Sequence, residues 1–110
     1  MDTYYSSQHL ADFGKISESS PKLGKKFFDY YAAVFEDGAL TAREKSLIAL
    51  AVAHAVQCPY CIDAYSTTCL EKGADEEQMS EAVHVAAAMA AGITLVHSVQ
   101  MMNHLDEKSL

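Results

Sequence analysis

The chain has no Trp, only two Pro and five Gly among its 110 residues. So few chain breakers exclude a collagen-like or Pro/Gly-rich disordered chain and leave long segments free to be helical. Basic residues are also scarce, eight Lys and Arg against fifteen Asp and Glu, for a net charge of −7. Binders of nucleic acid and of anionic membranes present basic surfaces, so neither is expected as a partner. The start, Met1-Asp2-Thr3-Tyr4-Tyr5, lacks the basic and apolar portions of a secretory signal. No apolar run approaches the ~18 residues of a spanning helix. The cytoplasm is therefore the expected compartment. Thiols are kept reduced there, so a close pair among three cysteines points to catalysis or metal binding rather than a structural staple.

What remains is half hydrophobic. The length suits one domain, residues 1–110, with its core expected over about 20–105. Tyr4, Tyr5, Leu10, Phe13 and Ile16 are possible contact points near the start, with a short helix around Ser7–Phe13. Ser20-Pro21 reads as N-cap and first helical position. Leu23, Phe27, Tyr30, Tyr31, Val34 and Phe35 then follow at helical spacing, a stripe that reads as core, until Glu36-Asp37-Gly38 stops it. Thr41-x-x-Glu44 is a capping box opening a helix from Ala42 to about Gln57. A CxxC helix follows and stops at Gly73, and Asp75-x-x-Gln78 repeats the cap signature. The last pattern runs to about His104. Met79, Ala82, Val83, Ala86, Ala87 and Met89 are expected to face inward, with a bend near Gly92-Ile93-Thr94. Nothing alternates with period two. The expected fold is all-α, with about five to six helices and the CxxC at a helix N-terminus. Leu47–Val56 and Val85–Val96 are apolar on nearly every face, more than so small a domain can wrap, so a homo-oligomer is expected.

The chemistry concentrates at Cys58-Pro59-Tyr60-Cys61. Pro59 suits the first helical position, which puts Cys58 at the N-cap and Cys61 in the first turn. Free N–H groups and the positive end of the helix dipole favour a thiolate there. A dithiol/disulfide couple is the reading that uses both features. The alternatives are two buried small residues, or a metal set of His54, Cys58 and Cys61 completed by His84 or His97. His54, four residues before Cys58, is a candidate proton shuttle, and Tyr65, four after Cys61, can offer it a hydroxyl. Cys69 reads as an ordinary core residue or a third thiol, and His84 and His97 as hydrogen-bonded core histidines.

Three blocks together, Thr41-Ala42-Arg43-Glu44-Lys45-Ser46-Leu47-Ile48-Ala49-Leu50-Ala51-Val52, Cys58-Pro59-Tyr60-Cys61 and Glu81-Ala82-Val83-His84-Val85-Ala86, resemble the carboxymuconolactone decarboxylase superfamily. The CxxC makes the resemblance one to its alkylhydroperoxidase D-like branch. Residues 3–13 and Cys69-Leu70-Glu71 are also similar to a peroxidase-like subgroup associated with arsenosugar biosynthesis. The resemblance implies an all-helical fold, oligomeric assembly, and thiol peroxidase and disulfide reductase activity with no cofactor. It gives Cys61 the role of attacking the peroxide and Cys58 that of resolving the sulfenic acid, with a separate reductant restoring the pair. The branch's proton relay uses a Glu twelve residues before the first Cys, a His just before the second, and a His four after it. Here those positions hold Ser46, Tyr60 and Tyr65. The expected function is a CxxC thiol oxidoreductase acting on a small peroxide or disulfide, better at exchange than at peroxide reduction. The alternative is a non-catalytic scaffold whose thiols hold a metal or arsenite.

Overall fold

A computed structural model describes residues 5–108, and Tyr4 lies outside them. Six α-helices and one 3-10 helix follow one another: α1 (Ser7–Ala11), the 3-10 helix Phe13–Ser17, α2 (Pro21–Val34), α3 (Ala42–Ala55), α4 (Pro59–Glu71), α5 (Glu76–Val96) and α6 (Ser98–Lys108). The described residues include no strand. The all-α expectation holds.

The helix starts follow the local chemistry. Thr41 Oγ1 accepts the Glu44 N–H at 3.1 Å, and Glu44 returns the contact to the Thr41 N–H at 2.9 Å. Those bonds from Thr41 hold the Glu44 carboxyl below its ordinary pKa. Asp75 and Gln78 form the same reciprocal box on α5. The helix ends are also alike. Gly73, at φ +89°, lets the Ala74 N–H reach the Cys69 carbonyl and the Gly73 N–H reach Leu70. This is a Schellman stop, and glycine fits its left-handed position without strain. At the end of α3 the left-handed residue is Gln57, at φ +58°. Its N–H bonds to the His54 carbonyl, and the Cys58 N–H bonds to that of Ala53. The expected helix to Gln57 therefore ends at Ala55, because the chain reverses hand two residues later.

α3 packs against both α4 and α5. The buried centre is Leu50, Cys69 and Ala74, with Leu47, Tyr65, Met79 and Val83 packed on it. Ala53 and Ser46 are also buried, the Ser46 hydroxyl donating to the Arg43 carbonyl at 2.7 Å. α2 packs on the 3-10 helix. Gly24 permits their approach, since a methyl group there would collide with Ser17. Phe13 inserts its ring edge-on toward Phe28 at 5.1 Å, and Phe35 stacks on Tyr65 at 5.3 Å, tying α2 to α4.

Several expected core positions are open. Leu23, Tyr30 and Met89 are more than half exposed, and Ala87, His84 and His97 are exposed as well. The aromatic stripe of α2 is thus a partly open face, and His84 and His97 are not core residues. The physical reason is the shape of the chain: its radius of gyration is 19.0 Å and its longest extent 61 Å. A compact chain of this length would have a radius near about 13 Å. The expected bend at Gly92 also moves. α5 continues through it to Val96, and the interruption falls at His97, where Ser98 Oγ donates to the Leu95 carbonyl and the Gln100 N–H bonds to His97. One glycine costs a helix interior only about 1 kcal/mol relative to alanine, which a helix of this length absorbs. Together α5 and α6 make a 33-residue run, Glu76–Lys108, with an 18-residue stretch of mean hydropathy 1.6, none of it buried. That stretch is long and apolar enough to cross a membrane by length and composition alone, which corrects the expectation that no apolar run reaches that length, and a helix face covered by another protein surface has the same composition.

Gln57 holds a left-handed conformation that costs an ordinary side chain about 1–2 kcal/mol, and Gly pays roughly 0.5–1 kcal/mol of extra chain entropy instead. Gln57→Gly is expected to stabilise the protein by about 0.5–1 kcal/mol in urea unfolding. A destabilised variant would show that the Gln57 side chain makes a compensating contact.

Candidate functional site

Cys58 serves two helices. Its N–H completes the stop of α3, while its own side chain caps α4 by accepting the Cys61 N–H at 3.2 Å. Pro59 occupies the first helical position, where its missing N–H costs nothing. One turn later Cys61 comes back over Cys58, with the Cα atoms 5.3 Å apart, and the two sulfurs are bridged in this structure. That separation lies inside the range a disulfide accepts. The Cys58 sulfur lies at the Cys61 N–H and in the N-terminal field of α4, surroundings of the kind that favour a thiolate over a thiol.

The pair opens on a pocket of about 400 Å³ with a mostly apolar wall. α4 and its cap supply Cys58, Tyr60, Cys61, Ala64 and Tyr65, and α2 supplies Tyr31. The far wall comes from the N-terminal segment, through His9, Leu10, Asp12, Phe13 and Ile16. Tyr65 and Tyr31 join hydroxyl to hydroxyl, and burial pushes the Tyr31 phenol above its ordinary pKa, so it stays neutral at physiological pH. Tyr60, between the cysteines, meets His9: its hydroxyl lies 3.2 Å from His9 Nδ1. The Tyr5 ring packs edge-on against Tyr60 at 4.5 Å, and the Tyr5 hydroxyl donates to Asp63 Oδ2 at 3.1 Å.

Of the residues expected at the site, Cys58, Cys61 and Tyr65 share the pocket wall. His54 is not among the lining residues; its Nδ1 lies 2.8 Å from the Leu50 carbonyl of its own helix. Ser46 is buried beneath, bonded to Arg43, and does not line the pocket. Cys69 is fully buried and unbridged. No three His, Cys, Asp or Glu side chains among the described residues gather as a metal site, so His54, Cys58 and Cys61 do not form the ligand set weighed above. The sequence reading missed His9. It stands 51 residues from Tyr60 in a mixed segment with no motif around it, so only the folded chain brings the two together.

An all-helical domain with a bridged CxxC at a helix start, facing a pocket, has the parts that thiol–disulfide chemistry uses. The profile of the Carboxymuconolactone decarboxylase family matches residues 21–104, and the chain belongs to that family. Its curated relatives include uncharacterised protein 4 in the cox locus of Paracoccus denitrificans, 41% identical over 97 residues, or 88% of this chain and 87% of the relative. An uncharacterised protein of Cupriavidus necator is 27% identical over 86% of this chain and 83% of its own. Among solved structures, a protein from Methanobacterium thermoautotrophicum superposes with TM-score 0.74 at 34% identity, covering 78% of this chain and 97% of the other. A carboxymuconolactone decarboxylase family protein from Legionella pneumophila, in its apo form, gives 0.69 at 30% identity over 94% and 97%. Family membership and a CxxC pair at bridging distance fit a thiol oxidoreductase.

Burial separates the three thiols. Alkylation of the reduced native protein by iodoacetamide is expected to modify Cys58 and Cys61 and leave Cys69 unlabelled until denaturant is added, as read by peptide mass mapping. Native labelling of Cys69 at the rate of the pair would contradict its placement in the core.

Proposed function

We propose that the protein reduces small apolar hydroperoxides or disulfides through a Cys58–Cys61 dithiol/disulfide couple, in the manner of an alkylhydroperoxidase. The observation that carries this reading is the bridged pair at the start of α4, opening on a mostly apolar pocket of about 400 Å³. The Cys61 thiolate attacks the terminal oxygen of ROOH. An S–O bond forms, the O–O bond breaks, and the alkoxide leaves as ROH once it gains a proton. The Cys58 thiolate then attacks the Cys61 sulfur, forming the disulfide as hydroxide departs and is protonated to water. The sum is dithiol plus ROOH giving disulfide, ROH and H₂O. An external dithiol restores the couple by exchange through a mixed disulfide. Cys58 suits the resolving role because the Cys61 N–H supports its thiolate. Free thiols are the working form, so the reading sets the protein in the reducing cytoplasm.

The test is single-turnover oxidation of the reduced protein by cumene hydroperoxide and by hydrogen peroxide. The apolar pocket favours the bulky substrate, so faster oxidation by the organic hydroperoxide is expected. Cys61→Ser is expected to abolish oxidation, and Cys58→Ser to stop at a sulfenic acid trapped by dimedone. Oxidation that survives Cys61→Ser would overturn the assignment of the attacking thiol.

The reading extends to assembly: a second copy of the chain covers the open faces of α2, α5 and α6. The single chain exposes 8586 Å², whereas a compact monomer of 12.0 kDa exposes about 6,000 Å². The excess is the size of an obligate interface, and Leu95, Val96, Met101 and Leu105 supply apolar surface for it. Sedimentation at micromolar concentration is expected to give a homo-oligomer, and a clean monomer would overturn this proposal.

A further inference from the structure

Peroxide reduction needs a proton for the departing alkoxide, and neither His54 nor Ser46 lines the thiols' pocket. The pocket wall does hold one imidazole, that of His9, bonded to the phenol of Tyr60. We infer that His9 is a positioning and proton-storing residue that works through Tyr60, making the N-terminal segment a working part of the site. The inference rests on the hydroperoxide reading above and adds to it the source of the proton.

Three observations converge on the pair. Tyr60 lies next to Cys61 in the chain, and both face the pocket in which a hydroperoxide would sit. His9 Nδ1 is 3.2 Å from the Tyr60 hydroxyl, and both residues line the same pocket. The contact is also fixed from both sides. The Tyr5 ring lies edge-on to Tyr60, and the Tyr5 hydroxyl donates to Asp63 of α4, which pins the segment to the helix that carries the thiols. On its other side, Phe13 anchors the segment among Phe27, Phe28 and Tyr31 of α2. Asp12 also lines the pocket, and Lys15 lies 3.6 Å from it, so this nearby carboxylate has a counter-charge of its own. The family match begins at residue 21, so the imidazole comes from a part of the chain outside it.

The step balances without a further reagent. Neutral His9 accepts the Tyr60 proton at Nδ1 as Tyr60 takes the proton released by the Cys61 thiol, leaving a thiolate and an imidazolium. The thiolate attacks ROOH. Tyr60 then gives its proton to the departing RO⁻, and the imidazolium returns one to Tyr60. The thiol proton ends on ROH, and both relay groups are as they began. A phenol alone cannot hold the extra proton at neutral pH, whereas an imidazole can.

The experiment measures single-turnover oxidation of the reduced protein by cumene hydroperoxide in wild type, His9→Gln, His9→Ala, Tyr60→Phe and the His9→Gln/Tyr60→Phe double variant. Circular dichroism melts confirm that each is folded. His9→Gln can still hydrogen-bond the Tyr60 hydroxyl but cannot carry its proton, so a purely structural role would leave its rate near wild type. The relay requires a fall of about 10²-fold, the low end of general acid–base effects. Exogenous imidazole is expected to restore much of the rate to His9→Ala. The double variant is expected to be no slower than Tyr60→Phe alone. A wild-type rate in His9→Gln, no rescue by imidazole, or additive losses in the double variant would each overturn the inference while leaving the hydroperoxide reading intact. A wild-type protein that cumene hydroperoxide does not oxidise would remove both.

Discussion

The site depends on one backbone constraint, the double use of residue 58. The Cys58 N–H must reach back to the Ala53 carbonyl to end α3, and its sulfur must reach forward to the Cys61 N–H to begin α4. Both requirements are met within a three-residue junction, Val56 to Cys58, in which Gln57 accepts a left-handed conformation. With so short a junction between the two helices, the thiols are fixed relative to the α3–α4 contact, and little adjustment is possible. Thiol chemistry gains from such placement because attack on sulfur is sensitive to alignment. A helix start supplies the field, and the end of the preceding helix fixes where that field points.

The same economy leaves the chain thin. Its buried centre is small and lies where α3 meets α4 and α5, directly behind the CxxC helix, with Cys69 two turns below Cys61 on that helix. Core and site are thus two faces of α4. Tyr65 belongs to both, since it packs against the Leu50 cluster and reaches the pocket. The outer helices add little to this centre. α2 is held mainly by rings, through Phe13 on one side and Tyr65 on the other, and α6 packs mainly on α5. Their apolar faces turn away from the centre, which is why a hydrophobic content of half the chain produces so few buried residues.

Legibility in the sequence followed the range of the interactions. The caps at Thr41, Cys58 and Asp75, the Pro59 start and the Gly73 stop were readable because each is settled within four residues. The α3 end was misplaced by two residues because nothing local marks Gln57 as left-handed. The positions of Met89, Ala87, His84 and His97 were misread for a different reason. An apolar helical stripe says that a face is covered, not by which molecule, and a single chain leaves those faces open. At the site, the thiols and Tyr65 were visible through their spacing. His9 was not, because its meeting with Tyr60 depends on how the N-terminal segment folds across α4.

That fold-back also changes how the tyrosines at the relay positions read. Taken one at a time, Ser46, Tyr60 and Tyr65 are losses of acid and base. In the folded chain the two phenols have different surroundings. Tyr65 is tied to Tyr31, whose burial keeps its phenol neutral, so the two extend an uncharged wall suited to an apolar substrate. Tyr60 sits at the other side of the thiols beside the one imidazole of the pocket. The mostly apolar wall strengthens any charge that forms beside it, such as a thiolate at the helix start, and its one carboxylate, Asp12, is paired with Lys15. The pocket therefore has two unlike sides, a phenol pair at Tyr31–Tyr65 and an imidazole–phenol pair at His9–Tyr60, and only the second could carry the proton that the proposed relay needs. Replacing ionisable relay residues by phenols is consistent with a site in which the substrate's bulk, rather than its charge, decides what enters.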